Sequence, residues 1–349
     1  MPTVTCPHIA LPENRVETDE LLDHFASRYA DAPRIKDALR VMEATTVASR
    51  HLSHPLLELS SSGQSVDERL DRHFADTCQL AEQAARKALR LAQLDPADID
   101  TLVCASVTGY VMPGLDLELV NRLNLPPTTR RLPVTQMGCN GGAYALARAA
   151  DLCTSAQHRI LVVAADLFSS YIHPADTGMD NMIFRALMGD AAGACVVRSD
   201  DTQPGLRITA TWDYTAPGTA SIVGTRIRDD GMHLFNSPRL YDAVAQVLPE
   251  LTGWLKESEP DSEPPTLGFL VAHPGGPKVL STLVDGLGCD PSLIDIPWQS
   301  LRSLGNTGSV SVLDILARTY ATPPPPGTHG LVIGVGPGIS VTASRAQWQ

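Results

Sequence analysis

Three residues whose side chains could act together in catalysis are Cys139, His273 and Asn306. Cys139 lies in Gly138-Cys139-Asn140-Gly141-Gly142, a Gly-rich turn that precedes an Ala/Leu-rich helix. Its sulfur would lie near free backbone N–H groups and the positive end of a helix dipole, which both favour thiolate over thiol. The structural alternative is a buried cysteine on a packing turn.

His273 and Asn306 occupy comparable places later in the chain. His273 follows an apolar strand and precedes Pro274-Gly275-Gly276, and Asn306 belongs to Gly305-Asn306-Thr307-Gly308-Ser309, which opens another apolar helix. Taken singly, the first could be a hydrogen-bonded structural histidine and the second a helix cap. A thiolate with an imidazole and an amide donor is suited to acyl transfer through a thioester.

These residues need strand ends and helix starts to position them, and helical and strand patterns alternate along the chain. This alternation predicts an α/β protein. The predicted helices are residues 66–94, a short one around 117–125, 143–153, 279–287 and 310–320, and the predicted strands are 101–107, 131–135, 159–165, 267–272 and 330–335. An acidic linker is predicted at residues 256–265.

The second half of the chain repeats the order of the first. The two Gly-rich turns each open an apolar helix, and Thr108-Gly109 and His273-Pro274 each end an apolar strand. We therefore predict a diverged duplication, with residues 1–205 carrying Cys139 and residues 206–349 carrying His273 and Asn306. The site is expected where strands of both halves end.

Composition excludes several classes of protein. The chain has 349 residues, a net charge of −12 and 43% hydrophobic residues, which predicts a folded protein of about two domains and argues against nucleic acid or an anionic membrane as partner. No signal peptide or membrane span is recognised, so a cytoplasmic protein is expected. The seven cysteines are scattered without a C-x-x-C pair, which argues against disulfides and zinc.

Five motifs in this order resemble the landmarks of type III polyketide synthases, the chalcone and stilbene synthase family. They are Gly138-Cys139 with Gly141-Gly142, Gly189-Asp190, His273-Pro274-Gly275-Gly276-Pro277, Gly305-Asn306 and Gly334-Val335-Gly336-Pro337-Gly338. The resemblance implies a duplicated, thiolase-like α/β/α/β/α fold of five layers, an obligate homodimer, and coenzyme A thioesters as substrates with no tightly bound cofactor.

The same resemblance implies roles for individual residues. Cys139 would hold the acyl chain and His273 would keep it ionised, while His273 and Asn306 would bind the thioester oxygen of malonyl-CoA as it decarboxylates. Met112 would reach into the partner's cavity, and Arg40 would meet a coenzyme A phosphate. The cavity would be lined at positions that here read Val107, Ser170, Met188, Leu234 and Gly308.

The cavity residues predict a substrate. Met188 and Leu234 stand where the family usually has two aromatic residues, and Ser170 and Gly308 are small. A flexible and purely aliphatic wall is expected, which would favour a starter acyl chain of eight or more carbons, since each buried methylene contributes about 0.8 kcal/mol. The predicted product is an alkyl pyrone, a resorcinol or a related polyketide.

Three alternatives remain at this stage. A ketoacyl-carrier-protein synthase III shares the fold and the three residues, although His273-Pro274-Gly275-Gly276 does not resemble its histidine motif. A papain-like cysteine hydrolase has the order Cys, His, Asn but also a C-G-[SA]-C-[WY] motif, which is missing here. A non-catalytic homologue would not need all three residues.

Overall fold

The computed structural model describes residues 1–60, 64–153, 155, 158–170, 176–199, 204–228, 231–257 and 267–349. The strands are β1 (Thr3–Val4), β2 (His8–Ala10), β3 (Asn14–Glu17), β4 (Ser49–Leu52), β5 (Thr101–Ser106), β6 (Arg130–Thr135), β7 (Arg159–Asp166), β8 (Ala191–Arg198), β9 (Leu206–Thr215), β10 (Val223–Arg228), β11 (Gly231–Asn236), β12 (Phe269–Ala272), β13 (His329–Gly336) and β14 (Ser340–Trp348). The helices are α1 (Thr18–Arg28), α2 (Ile35–Glu43), α3 (Leu56–Leu59), α4 (Val66–Ala92), α5 (Leu115–Leu123), α6 (Gly141–Leu152), α7 (Met179–Leu187), α8 (Leu240–Glu257), α9 (Pro277–Leu287), α10 (Asp295–Leu304) and α11 (Ser311–Ala321).

One large mixed sheet connects both halves of the chain. Its strand order is β6-β5-β7-β8-β1-β9-β14-β13-β12, and β2 also pairs with β8. On the β6 side, β5 is parallel to β7, whereas β8 is antiparallel to both of its neighbours β7 and β1. On the β12 side, β12 is parallel to β13, whereas β14 is antiparallel to both β13 and β9. Apart from β6, which has no counterpart beside β12 in the described residues, the two halves repeat one order and one set of directions. They meet at the antiparallel β1–β9 pair.

Side chains alternate between two faces along the buried strands and so define the layers. In β5, Val103 and Ala105 face the middle core with residues of α6 and α11, while Leu102 and Cys104 face the outer core under α4 and α5. In β12, Val271 joins the middle core and Leu270 the outer core under α8 and α9. Strands buried on both faces are typical of α/β folds with helices on each side of a sheet. The five-layered, duplicated α/β fold is confirmed.

Each predicted helix and strand overlaps an element of the structure, with differences at the ends. The first long helix ends at Ala92, because Gln93 adopts a left-handed conformation (φ 56°) before Asp95-Pro96 is reached. The structure also contains elements that were not predicted, namely the helices α1–α3, α7, α8 and α10 and the strands β1–β4, β8–β11 and β14. The predicted linker lies outside the described residues from 258 onward. The boundary between residues 205 and 206 stays a prediction, because the large sheet runs across both halves.

Within the described ranges, no helix is long and apolar enough to cross a membrane.

Candidate active site

A cavity of about 650 Å³ lies where elements of both halves end, and Cys139, His273 and Asn306 all line it. Val107 follows β5 and His273 follows β12, and both residues contribute to the lining. The sequence predicted this meeting of strand ends and Gly-rich turns. The three candidate catalytic residues are brought into one cavity.

Cys139 lies in a short 3₁₀ turn, Gly138–Asn140, that runs directly into α6. The turn needs a glycine first, because Gly138 has φ +56° and a Cβ there would lie 2.1 Å from Cδ of Pro337. Burial, followed by the negative charge of Asp166, raises the pKa of the Cys139 thiol to about 12, although Asn306 and the Cys139 backbone N–H act in the opposite direction. The helix start therefore does not by itself produce a thiolate, in contrast to the sequence-based expectation, because loss of solvation has the larger effect.

His273 is almost completely buried, and its backbone N–H donates to the carbonyl of Ile333 at 2.9 Å. Neither ring nitrogen has a hydrogen-bond partner among the described residues. Burial lowers the pKa of His273 to about 3, so the imidazole is neutral near pH 7. Buried polar atoms normally have partners, and these two nitrogens are therefore positioned to bind a substrate atom or to accept a proton.

Asn306 presents its amide to Cys139. The backbone N–H of Gly308 donates to Oδ1 of Asn306 at 2.9 Å, which fixes the orientation of the amide. Nδ2 lies 3.8 Å and Oδ1 lies 3.9 Å from Sγ of Cys139. The backbone is held on both sides, since the N–H of Asn306 donates to Leu187 and its carbonyl accepts from Gly189. This parallel bridge pairs Asn306 with Met188.

Asp166, at the end of β7, connects the two halves beneath the site. Its buried carboxylate accepts from the backbone N–H of Val107 at 2.7 Å, and from the backbone N–H and the hydroxyl of Ser309 at 2.8 Å and 2.5 Å. Burial raises the pKa of Asp166, while these hydrogen bonds oppose the rise. Sequence reasoning did not identify this residue, although an acidic residue that ends the apolar strand 159–165 was the available signal.

The end of β13 makes the corresponding contact with the first turn. A Cβ at Gly336 would lie 2.3 Å from the carbonyl oxygen of Met137, and one at Gly334 would lie 2.7 Å from Oδ1 of Asn140. In both halves, therefore, the last parallel strand supports the Gly-rich turn of the other half. Asp166 makes this contact through its carboxylate. At the end of β13, Gly334 and Gly336 make it because they have no side chain and let the two backbones approach closely.

Met188, Leu234 and Val107 line the cavity as predicted, but the wall is not purely aliphatic. Phe168 and Phe184 are buried beside Met188, and both also face the cavity. The expectation that Gly308 leaves extra space is wrong, because a Cβ there would lie 2.8 Å from the Phe168 ring, which already fills that volume. Ser170 is buried but is not among the described residues that line this cavity.

Two further predicted residues lie outside the cavity lining. The Arg40 side chain is 80% exposed, and its guanidinium lies 4.0 Å from the carboxylate of Asp37. Val41 of α2 and Ala44, the residue after that helix, line the cavity instead. Met112 is 95% exposed and does not line the cavity of its own chain. Among the described lining residues, Lys278 is the one with a positive charge, and its Nζ lies 4.2 Å from the centre of the Tyr241 ring.

No cluster of metal-ligating side chains is found in the described residues, and all seven cysteines are free thiols.

A duplicated five-layered α/β fold with a cysteine, a histidine and an asparagine in one cavity defines a thiolase-like condensing enzyme. Comparison with known proteins makes this class specific. Residues 3–201 match the family model described as chalcone and stilbene synthases, N-terminal domain. The chain is 32% identical over its whole length to phloroglucinol synthase of Pseudomonas fluorescens, of which it covers 99%.

Solved structures agree with this assignment. The 1,3,6,8-tetrahydroxynaphthalene synthase of Streptomyces coelicolor A3(2), a bacterial type III polyketide synthase, superposes with a TM-score of 0.93 at 30% identity, covering 99% of each chain. Germicidin synthase of Streptomyces coelicolor, another type III polyketide synthase, gives 0.92 at 30% identity over 100% of this chain and 99% of that chain. The chain therefore belongs to the chalcone and stilbene synthase family and is a type III polyketide synthase. The papain-like and carrier-protein synthase alternatives are set aside.

Proposed function

We propose that this type III polyketide synthase transfers an acyl group from a coenzyme A thioester to Cys139 and extends it with malonyl-CoA by decarboxylative Claisen condensation. The observation that carries the proposal is the meeting of Cys139, His273 and Asn306 in one largely apolar cavity. The cavity is within the range that accommodates a small organic ligand.

In the loading step, the Cys139 thiol transfers its proton to His273, and the sulfur attacks the carbonyl carbon of the acyl-CoA. Burial keeps each group neutral on its own, so proton transfer between them forms an ion pair without changing the net charge of the site. The carbon–sulfur bond to coenzyme A then breaks, and the coenzyme A thiolate that leaves takes the proton from His273. An acyl-Cys139 thioester remains.

In the extension step, His273 and Nδ2 of Asn306 donate hydrogen bonds to the thioester oxygen of malonyl-CoA. Loss of CO₂ places the electron pair on the enolate that these donors stabilise. The enolate carbon attacks the acyl-Cys139 carbonyl, a carbon–carbon bond forms, and Cys139 leaves as thiolate. The fixed orientation of the Asn306 amide, set by Gly308, supports this role.

The proposed starter is a medium or long aliphatic acyl group, giving an alkyl pyrone, resorcinol or related product. Most side chains lining the cavity are apolar. Met188 and Met232 contribute flexible thioether side chains that can adapt to an alkyl chain. The relatives are named for phloroglucinol, tetrahydroxynaphthalene and germicidin, so their names do not select one starter. The rings of Phe168 and Phe184 narrow the cavity beside Met188.

We also propose that the enzyme works as a cytoplasmic homodimer. Tyr110, Val111 and Met112 form an exposed apolar segment next to the cavity, and such segments are typical of interaction surfaces. Free thiols at all seven cysteines favour a reducing compartment. Sedimentation under assay conditions should give twice the 37.3 kDa chain mass.

For the coenzyme A phosphates, Lys278 replaces Arg40 as the proposed cation. It lines the cavity at the start of α9, whereas Arg40 faces solvent near Asp37. Lys278→Ala should raise KM for acyl-CoA and malonyl-CoA by a similar factor, because it removes a contact to the coenzyme A phosphates that both substrates carry. Arg40→Ala should leave both values unchanged.

Intact-protein mass spectrometry tests the function. Incubation with decanoyl-CoA should add one acyl group to the wild-type chain and none to Cys139→Ala, and adding malonyl-CoA should release polyketides from the wild type alone. Cys6→Ala is the matched control, since Cys6 is also a half-buried thiol. Acylation or polyketide formation by Cys139→Ala would refute the proposal.

A further inference from the structure

A second, smaller cavity of about 50 Å³ lies next to the main one, and we call it the rear cavity. Its apolar lining comes from α1, β4 and α3 and consists of Leu21, Phe25, Leu52, Leu56 and Leu59. Among the described residues, Met188 is the one that lines both cavities. Met188 therefore lies where the two cavities adjoin, and we call it the partition.

The Met188 side chain can change its conformation without displacing Asn306. The backbone N–H of Met188 donates to Phe184 at 2.8 Å, and the parallel bridge to Asn306 holds the same segment from the other side. The side chain itself has three rotatable bonds and an unbranched, polarizable thioether that adapts to irregular space. Rotation about these bonds would join the two cavities while Asn306 stays in place.

Polar groups that reach the rear cavity are already bound within the protein. Ser60 is hydrogen-bonded to His24, Ser169 donates to Asp190, and Arg185 donates to the hydroxyl of Tyr29 at 2.7 Å with its guanidinium over the Phe25 ring. A polar or charged substituent entering the cavity would lose its own hydration without gaining a partner. The cavity is suited to saturated hydrocarbon.

We propose that the rear cavity is a subsite for the terminal methylenes of a saturated acyl starter, opened by rotation of Met188. This inference rests on the proposed function, since the chain must be attached to Cys139 for its end to lie there. A volume of about 50 Å³ holds roughly three to five groups of water or methylene size. Each buried methylene favours binding about fourfold.

The experiment measures kcat/KM for straight-chain acyl-CoA starters from C4 to C14 with malonyl-CoA. In the wild type, kcat/KM should rise by up to fourfold per methylene until the rear cavity is full and then level off. Leu56→Phe fills the cavity and should lower the ratio of long-chain to short-chain kcat/KM at least tenfold. Leu56→Ala enlarges it and should move the optimum to longer chains. Leu57→Phe is the control, because Leu57 lies on the same helix and is 80% exposed.

The outcomes separate this inference from the proposed function. Active enzyme in which both Leu56 variants keep the wild-type chain-length profile, or in which Leu57→Phe changes it equally, overturns the subsite while the condensation stands. If no starter is condensed, the proposed function fails. Calorimetric binding of decanoyl-CoA to wild type and Leu56→Phe then decides the subsite without turnover, and equal affinities overturn it.

Discussion

Two Gly-rich turns, one from each half, have similar backbone conformations, but their second residues have different roles. Gly138 and Gly308 each open a 3₁₀ turn with φ near +60° and are followed by Cys139 and Ser309 at corresponding positions. Cys139 faces the cavity, and its side-chain contact is the long one to Asn306. Ser309 is completely buried, and its hydroxyl donates to Asp166.

The difference shows how a duplicated fold can divide one task. Both turns place a side chain capable of nucleophilic chemistry at a helix start. One of them keeps that side chain available, and the other uses it to hold the turn that carries Asn306. The neighbouring residues, rather than the turn geometry, decide which outcome occurs.

The largest expected effect comes from the turn that carries Cys139. Cys139→Gln should abolish acyl loading and condensation, because no thiol remains to form the thioester. It should retain malonyl-CoA decarboxylation, because the glutamine side chain resembles an acylated cysteine in shape and the two donors remain. ¹⁴CO₂ release from labelled malonyl-CoA measures this, with Cys6→Gln as the control. Loss of both activities would mean that Cys139 also takes part in decarboxylation.

The next effect concerns His273 and Asn306, the two residues of the second half that donate hydrogen bonds to the thioester oxygen. His273→Ala and Asn306→Ala should each lower decarboxylation by roughly 10² to 10³, the scale for losing one oxyanion donor. The same CO₂ assay with Cys139→Gln as background isolates this step. Near-normal rates in both variants would contradict a shared oxyanion site.

A smaller effect is expected at the turn that carries Ser309. Ser309→Ala removes one hydrogen bond from the buried carboxylate of Asp166 and should lower the free energy of unfolding by about 1–3 kcal/mol. Because Cys139 stays in place, acyl loading should persist. Chemical denaturation and intact-protein mass spectrometry test the two statements. A variant that keeps full stability but loses loading would assign Ser309 to the chemistry.

The smallest effect is a change in the titration of Cys139. Asp166 raises the pKa of the thiol by its negative charge, so Asp166→Asn should lower that pKa and move the pH profile of iodoacetamide alkylation to lower pH. Asp190→Asn is the matched control, because Asp190 is also buried and also binds a serine hydroxyl and backbone N–H groups. A profile shifted equally in both variants would point to a general loosening of the fold.

Local pattern was enough to predict much of the molecule. The helix that follows Cys139, the strand that precedes His273 and the meeting of both turns in one cavity follow from buried apolar runs and glycine placement. The use of Phe168 to fill the space beside Gly308 could not be predicted, because it depends on contacts between residues 140 positions apart. The rear cavity combines five separate segments in the same way. The raised pKa of Cys139 depends on burial, which sequence spacing does not measure.

The backbone bridge between Met188 and Asn306 affects how such an enzyme can diverge. Its hydrogen bonds join Asn306 to the main chain of Leu187 and Gly189, and these bonds do not depend on which side chain stands at position 188. Mutations there can reshape the substrate space while the amide that faces Cys139 keeps its place. New starter preferences can thus be sampled by single substitutions without first losing the reaction, and this position is a natural starting point for directed evolution.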